Sequence, residues 1–376
     1  MGRCKYYVNL DAEDAAWTLL RGTRLPFSRV TEEMRAAESR IIFVANPVYP
    51  LREVAPGNIF HLLYDELVPL LYQISRSTAF GSRNLNAQRL LLTNSKSNIP
   101  RMDRIYEYLG VLVDHADIFR PFPGGQRRFA CFENFHFGRD PASRYQYSAH
   151  KHFAPRRIVA DVAGAYLHNA VQWLKGAISL PEVARDASVF SVIIFARRQS
   201  RRVLNEPELV ACVRSVWASA PVRVQVIDEN EESFERIVRT VSVADLIIGV
   251  HGASLIFSMM LPAGSSLLEL FPFGISPAHG FDHYKALAGL PQFGLNYYLW
   301  QNEDPNPPAN VIEHDVSHIA DSLPPSYFAG VVGKAPIPRP SFYSTFWNYR
   351  RLQDTTVDLS SVQAILERIR DERAPI

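Results

Sequence analysis

Hydrophobic residues in the second half of the chain form short apolar runs, separated by longer stretches of mixed character. The apolar runs predict strands at residues 188–196, 245–250 and 265–270, and alternating apolar and polar residues predict a strand at 222–227. The stretches between them predict helices at residues 205–218, 233–243 and 253–261. Strands that alternate with helices in this way form a parallel sheet, so the pattern predicts an α/β fold.

The first half shows the same alternation less regularly. Predicted strands cover residues 40–48, 89–92 and 128–137, and predicted helices cover residues 58–77, 100–109 and 156–174. Residues 176–181 begin with Gly and end with Pro, which predicts a hinge between the two halves. A further amphipathic helix is predicted at residues 360–370.

Composition narrows the class of protein. The chain is 47% hydrophobic and 21% charged, as in ordinary soluble globular proteins. A net charge of +2 argues against a dedicated nucleic-acid binder.

The sequence shows no long apolar run typical of a membrane span and no signal peptide, so either a cytosolic location or a fragment without its targeting segment is expected. Of three cysteines, only Cys4 and Cys131 are considered as a pair, and Cys212 is expected to be a buried thiol.

Residues with binding chemistry follow two neighbouring predicted strands. His251, Gly252 and Ala253 come directly after one strand, and Glu269 lies near the end of the next. Small residues allow a ligand to approach the backbone, and the helix that follows offers free N–H groups to an anion. The carboxyl edge of an open parallel sheet is where such folds bind nucleotides, with an acidic residue on the ribose. The alternatives are a structural histidine and a carboxylate that serves as a cap or salt-bridge partner.

A cluster of arginines follows another strand at the same predicted edge. Arg197 and Arg201 stand four residues apart in the turn. Asn205 is the expected N-cap of the next helix, and Glu206 lies in its first turn. Guanidinium groups suit a diphosphate because they donate paired hydrogen bonds and stay charged. The alternative is a solvated basic loop. With no D-x-D motif and no P-loop in the sequence, arginines and helix ends are expected to neutralise a phosphate without a metal ion.

A second pair with possible catalytic chemistry lies in the first half. His61 and Asp65 are four residues apart on the predicted helix 58–77, so they share one face. One of them can act as a general base while its neighbour orients it. An ordinary pair on a helix surface is the alternative.

Several segments together resemble glycosyltransferase family 61. They are R-x-x-x-R-x-x-x-N-E from Arg197, H-G-A-x-L from His251 and L-P-x-G-x-x-x-x-E-L-F-P from Leu261. The resemblance extends over residues 41–369 and is closest to members that transfer N-acetylglucosamine to O-linked mannose. Further segments carry that closer match: H-x-x-x-D from His61, H-Y-K-A-L-A from His283 and L-Q-D-T-T-V-D-L from Leu352.

The resemblance implies a GT-B architecture, in which two Rossmann-like domains face a cleft and a C-terminal helix crosses back. The implied regions are an acceptor-side domain at residues 1–175, a nucleotide-sugar domain at 185–345 and the crossover helix at 346–376. Such members carry a membrane anchor before this region and a fibronectin type III domain after it, and neither is evident in this sequence. Their location implies the lumen of the endoplasmic reticulum or of the Golgi.

The resemblance also implies the chemistry: UDP-GlcNAc as donor, inversion, no obligatory metal, and an O-mannosylated secretory or cell-surface glycoprotein as acceptor. Arg197 and Arg201 would then bind the diphosphate with help from His251 and the amides of Gly252 and Ala253. Glu269 would bind the ribose, and Asn205 and Glu206 would shape the helix end or touch the donor. Asp65 or His61 would act as base. The alternatives are another family 61 activity (O-GlcNAc transfer to EGF-like domains, or xylosyl transfer), a non-catalytic sugar-binding protein and a cytosolic nucleotide-sugar enzyme.

Overall fold

The structure is a computed structural model that divides into two compact units. The first comprises residues 1–145 and 172–179, and the second comprises residues 146–171 and 180–376. The residues it describes are six short strands and Ile59, Phe60 and Leu63 in the first half, and then residues 160–178, 185–277, 282–304 and 352–373. The domain boundaries expected from the sequence stay a prediction.

The described strands of the first unit form two three-stranded sheets. One has the order β1-β6-β2, with β1 antiparallel and β2 parallel to β6, and the other is parallel with the order β3-β4-β5. These strands are β1 Tyr6–Asn9, β2 Ile41–Val44, β3 Val48–Leu51, β4 Arg89–Leu92, β5 Leu112–His115 and β6 Phe129–Phe132.

Sequence and structure differ in two places in this unit. The single strand expected at 40–48 is two strands in different sheets, because the run contains Asn46-Pro47 and Pro interrupts a ladder. Strands β1 and β5 are not among the predicted elements, whereas β4 matches its predicted bounds. Of the helix expected at 58–77, Ile59 and Phe60 are helical and buried, and the rest, apart from Leu63, lies outside the described residues.

The second unit contains a five-stranded sheet in which every neighbouring pair is parallel. Its order is β8-β7-β9-β10-β11, so the chain places β8 on one side of β7 and then β9, β10 and β11 on the other. The central strands β9 and β10 are buried along their whole length, as is typical of parallel strands covered on both faces. The five strands are β7 Phe190–Ala196, β8 Val222–Asp228, β9 Leu246–Val250, β10 Ser266–Phe271 and β11 Asn296–Gln301.

Helices cover both faces of this sheet. On one face, α2 and α5 share a core with alternate residues of β7, β9, β10 and β11. On the other face, Phe257 of a 3₁₀ helix contacts Phe195 of β7 and Phe234 of α3, with ring centroids 5.8 Å apart in both pairs. The helices of this unit are α2 Glu206–Val216, α3 Phe234–Val241, the 3₁₀ helix Ala253–Met260, α4 His283–Ala288 and α5 Leu359–Glu372. The residues of a further helix, α1 Ala160–Ala177, are divided between the two units.

The α/β fold expected from the sequence is confirmed in this unit, with a few local corrections. The helix expected at 253–261 is a 3₁₀ helix, and Asn205 makes no side-chain cap on α2. The hinge expected at residues 176–181 is helical at its start, because α1 continues through Gly176 to Ala177, and residues 179–181 lie outside the described residues. The GT-B arrangement remains a prediction. Among the described residues, no helix has the length and apolar character needed to cross a membrane.

Candidate functional site

The candidate site lies where the order of the parallel sheet changes direction. Strands β7 and β9 are neighbours, but the chain leaves β7 toward β8 on one side and leaves β9 toward β10 on the other. Their following loops therefore diverge at the carboxyl ends of the two strands, which is where open α/β sheets bind ligands. Arg197 follows β7 directly, and His251 follows β9.

Two arginines converge on the backbone of Gly252. A Cβ atom placed on Gly252 would lie 2.9 Å from Nη1 of Arg197 and 2.9 Å from Nη1 of Arg201. The backbone of Gly252 is extended, with φ 169°, so glycine is needed here for space and not for its conformational freedom. The structure therefore brings together two guanidiniums and the glycine turn that the sequence predicts at one edge.

Hydrogen bonds hold the two guanidiniums in place. Arg197 donates from Nε to the carbonyl of Ser200 at 3.1 Å, and Arg201 donates from Nη1 to the carbonyl of His251 at 3.0 Å. Nη1 of Arg197 is buried and has no hydrogen-bond partner among the described residues. A buried donor on a permanent cation favours an anionic ligand, because only a bound acceptor compensates for its lost hydration.

His251 is joined to two further side chains behind the turn. A hydrogen bond of 2.5 Å links His251 Nδ1 to Glu269 Oε1, and the hydroxyl of Tyr297 donates to Glu269 Oε2 at 2.6 Å. Glu269 is 0% exposed, and this burial raises its pKa to about 8. The His251 ring also stacks on Phe271, with centroids 5.0 Å apart. The orientation of the imidazole is therefore fixed from two directions.

In this geometry Glu269 has a different role from the expected one. Both of its carboxyl oxygens bind neighbouring side chains, and the group is fully buried, so the arrangement does not support direct contact with a ribose. Its evident effect is to orient His251 and fix its tautomer, as carboxylates do in other histidine sites. The parallel register of β9 and β10 explains the meeting, since it places the ends of both strands side by side.

Two tyrosines at the site are absent from the sequence-based set. Tyr297 lies on β11 two residues from Leu299, which pairs with Glu269, so strand alternation places Tyr297 on the same face of the sheet as Glu269. Tyr284 of α4 donates to the carbonyl of Gly252 at 2.5 Å, and burial raises the pKa of its hydroxyl. The register of β10 and β11 is the signal that could have identified Tyr297, whereas Tyr284 can be identified only from the tertiary structure.

The other predicted donor-binding residues have structural partners. Both polar atoms of the Asn205 side chain bind the backbone of Val357, and Glu206 accepts two hydrogen bonds from Arg198, at 3.0 and 3.2 Å. The expected roles of Asn205 and Glu206, in shaping the helix end or touching the donor, stay predictions. Ala253 begins the 3₁₀ helix next to Gly252, where the first amides of a helix lack partners within it.

The remaining predictions are not decided by this structure. His61 and Asp65 lie outside the described residues, as does the side chain of Cys131 together with Cys4. Cys212 is a buried free thiol, as expected. In the part of the chain that is described, no cluster of three or more His, Cys, Asp or Glu side chains is arranged to hold a metal ion.

A sheet of this order with two arginines at its switch point is typical of proteins that bind phosphorylated ligands, and sequence comparison identifies the class. Residues 42–268 match the model of the family described as Glycosyltransferase 61, so the chain belongs to that family. The resemblance inferred from its motifs is thereby confirmed, as is its class as a glycosyltransferase.

Among known proteins, the chain is similar to Protein O-linked-mannose beta-1,4-N-acetylglucosaminyltransferase 2 from several vertebrates. It is 26% identical to the protein of Canis lupus familiaris and 26% identical to that of Bos taurus, in each case over 335 residues. It is 25% identical to the protein of Homo sapiens over 335 residues. Each of these alignments covers 87% of this chain and 55% of the relative, so the chain spans about half the length of the curated relatives it matches.

Proposed function

We propose that the protein is an inverting glycosyltransferase that moves N-acetylglucosamine from UDP-GlcNAc to an O-mannosylated protein. The observation that carries the proposal is the convergence of Arg197 and Arg201 on Gly252 at the switch point of the sheet. The names of the relatives supply the donor sugar and the acceptor, both of which belong to the proposal for this chain.

In this proposal the two arginines bind the diphosphate of the donor. Breaking the bond between the sugar and UDP places negative charge on the departing phosphate, and positioned cations stabilise that charge most when they are already in place. Nη1 of Arg197 supplies a buried donor, and Arg201 is held by its bond to the carbonyl of His251. Two fixed positive charges take the place of a divalent metal, so we propose that the reaction needs none.

His251 acts beside the arginines in the same proposal. With its Nδ1 bound to Glu269, the other ring nitrogen lies on the opposite edge of the imidazole and serves the donor phosphate. The backbone amides of Gly252 and Ala253 contribute at the start of the 3₁₀ helix. Glu269 and Tyr297 are positioning residues in this proposal, because Glu269 binds His251 and Tyr297 binds Glu269.

Deprotonation of the acceptor requires one base, because inversion is a single displacement. The proposal retains Asp65 or His61 for this role on the basis of the sequence alone. Replacing each by a neutral residue of similar size, Asp65→Asn and His61→Gln, tests the assignment. Replacing the true base is expected to abolish turnover and to leave UDP binding intact. Normal turnover in both variants would exclude Asp65 and His61 as the base.

A donor screen tests the function directly. The protein would be incubated with an O-mannosyl peptide and UDP-GlcNAc, UDP-Xyl, UDP-Gal or UDP-Glc, with and without EDTA. The proposal expects transfer of N-acetylglucosamine in both conditions, loss of transfer in Arg201→Ala, and normal transfer in Arg214→Ala. Arg214 is a matched control because it is an exposed arginine in the last turn of α2.

Other outcomes of the screen would redirect the proposal. Transfer of xylose would favour another activity of family 61, and UDP binding without any transfer would favour a non-catalytic sugar-nucleotide binder. Loss of transfer in EDTA would contradict the metal-free reaction. The anomeric configuration of the product, read by NMR, would be β if the α-linked donor reacts with inversion.

A further inference from the structure

A segment far along the chain pairs with the arginine loop of the site. Residues 352–357 run parallel to residues 201–205, with a backbone bridge between Val203 and Thr355. Thr355 donates its N–H to the carbonyl of Arg202 at 2.9 Å, and Leu204 donates to the carbonyl of Thr355 at 2.9 Å. Asn205 extends this ladder with its side chain, which donates to and accepts from the backbone of Val357 at 2.8 Å in each direction.

Asp354 makes the strongest contact in this pairing. Its carboxylate is 0% exposed and accepts three hydrogen bonds from Arg202, from the backbone N at 2.7 Å, from Nε at 3.0 Å and from Nη2 at 2.7 Å. A buried carboxylate held by a guanidinium fork is geometrically specific, because both ends of the contact are rigid. Asp354 therefore fixes both the backbone and the side chain of Arg202.

The neighbouring residue, Arg201, has an uncommon backbone conformation. Its φ is 59°, in the left-handed region, and it is the only non-glycine residue with positive φ in the described part of the chain. A residue with a Cβ adopts this conformation at a cost, and surrounding contacts must hold it. The peptide groups on both sides of Arg201 are held by one segment, since Arg201 N donates to Leu352 O at 3.3 Å and Arg202 N donates to Asp354.

We propose that Asp354 is a positioning residue of the donor site, which acts through Arg202 to hold Arg201 in the conformation that directs its guanidinium over Gly252. The inference rests on the proposed function, in which Arg201 binds the donor diphosphate. Asp354 does not touch the donor itself. Its loss releases the backbone of Arg201, and the guanidinium then leaves the position beside the His251 carbonyl.

A double-mutant cycle on the full chain tests the inference, with UDP as the probe and titration calorimetry as the readout. Asp354→Asn keeps the size of the side chain but removes its charge, and Arg202→Gln breaks the same contact from the other side. Each variant is expected to bind UDP about tenfold more weakly and to raise the KM for the donor. In the background of Arg201→Ala, Asp354→Asn is expected to have no further effect, because coupling through a shared residue is not additive.

Ser361→Ala is the matched control for a merely structural effect. It removes the bond of 2.8 Å from Trp300 Nε1 to Ser361 Oγ and the bond of 3.0 Å from Ser361 Oγ to the carbonyl of Asp358, neither of which involves Arg201 or Arg202. This variant is expected to lower the melting temperature and leave UDP affinity unchanged.

The possible failures are separable. If Arg201→Ala weakens UDP binding but Asp354→Asn does not, or if the two effects add fully, the inference is wrong while the proposed function stands. If Arg201→Ala itself leaves UDP binding unchanged, both fail.

Discussion

Replacing Gly252 by alanine is expected to weaken UDP binding without unfolding the protein. The new Cβ would lie 2.9 Å from Nη1 of both Arg197 and Arg201, closer than real Cβ contacts allow. These atoms are the ends of flexible side chains, so the fold can relax by moving them. The same movement takes both guanidiniums away from the position that, in our proposal, binds the diphosphate.

The size of the effect follows from the distances. Ordinary contact begins at 3.4 Å, so each guanidinium must retreat by about half an ångström from its 2.9 Å position. A hydrogen bond to a charged group contributes roughly 1.5–3 kcal/mol, and a shift of this size weakens one such bond at each arginine. A loss of about 2–3 kcal/mol in total corresponds to a Kd for UDP about 30- to 150-fold higher.

Calorimetric titration with UDP would measure the loss of affinity, and thermal unfolding would show whether the variant remains folded. Gly176→Ala is the control, because Gly176 is an exposed residue of α1 and a Cβ there meets no atom within 4 Å. Alanine at that helical position is expected to raise stability by about 0.5–1 kcal/mol and to leave UDP affinity unchanged.

The reasoning fails if folded Gly252→Ala binds UDP as tightly as the natural protein while Arg197→Ala binds it weakly. That combination would mean that the arginines bind the nucleotide from a position other than the one above Gly252. If Gly252→Ala lowered the melting temperature as well as the UDP affinity, Gly252 would instead be required for the stability of the fold.

Three further predictions concern stability. Because burial raises the pKa of Glu269 from its ordinary 4.5 to about 8, the native state holds an extra proton between these values. The free energy of unfolding should fall as pH rises through that window, by up to about 1.4 kcal/mol per unit, and Glu269→Gln should flatten this slope in urea titrations. Ser233→Ala removes the N-cap of α3, which accepts from Arg236 N at 3.2 Å, and should cost about 1 kcal/mol by the same assay. Trp217→Ala removes a buried ring stacked on Phe190, with centroids 4.4 Å apart, and should cost about 3–5 kcal/mol without changing the UDP affinity of the folded protein.

Four of the five strands in the parallel sheet of the second unit were predictable because their signals are local, whereas β11 is not among the predicted strands. Apolar runs such as β9 and β10 indicate strands without reference to the rest of the chain, and their order places His251 and Glu269 at one edge. The type of helix after Gly252 was not predictable, because 3₁₀ and α geometry differ by packing and not by composition. The observed strand ends differ from the predicted ones by one or two residues, because strand ends also depend on packing.

The partners of individual side chains required the tertiary structure. Arg202 and Asp354 are 152 residues apart, and no periodicity connects them. Glu269 shows a further limit: its place on the sheet follows from the sequence, but its role depends on which atoms reach its oxygens. Tyr297 and His251 occupy both, which changes a residue expected to meet the ligand into one that orients a histidine.

The pairing of Arg202 with Asp354 has a consequence for how the protein is made. Ribosomes add about 5–20 residues per second, so about 8–30 s separate the synthesis of these two residues, which are 152 positions apart. During that interval the arginine loop exists without the segment that shapes it, so in our proposal the nucleotide cannot yet stabilise the nascent chain through this loop. A premature stop between residues 297 and 354 would therefore remove Asp354 while leaving Arg197, Arg201 and His251 in the translated product.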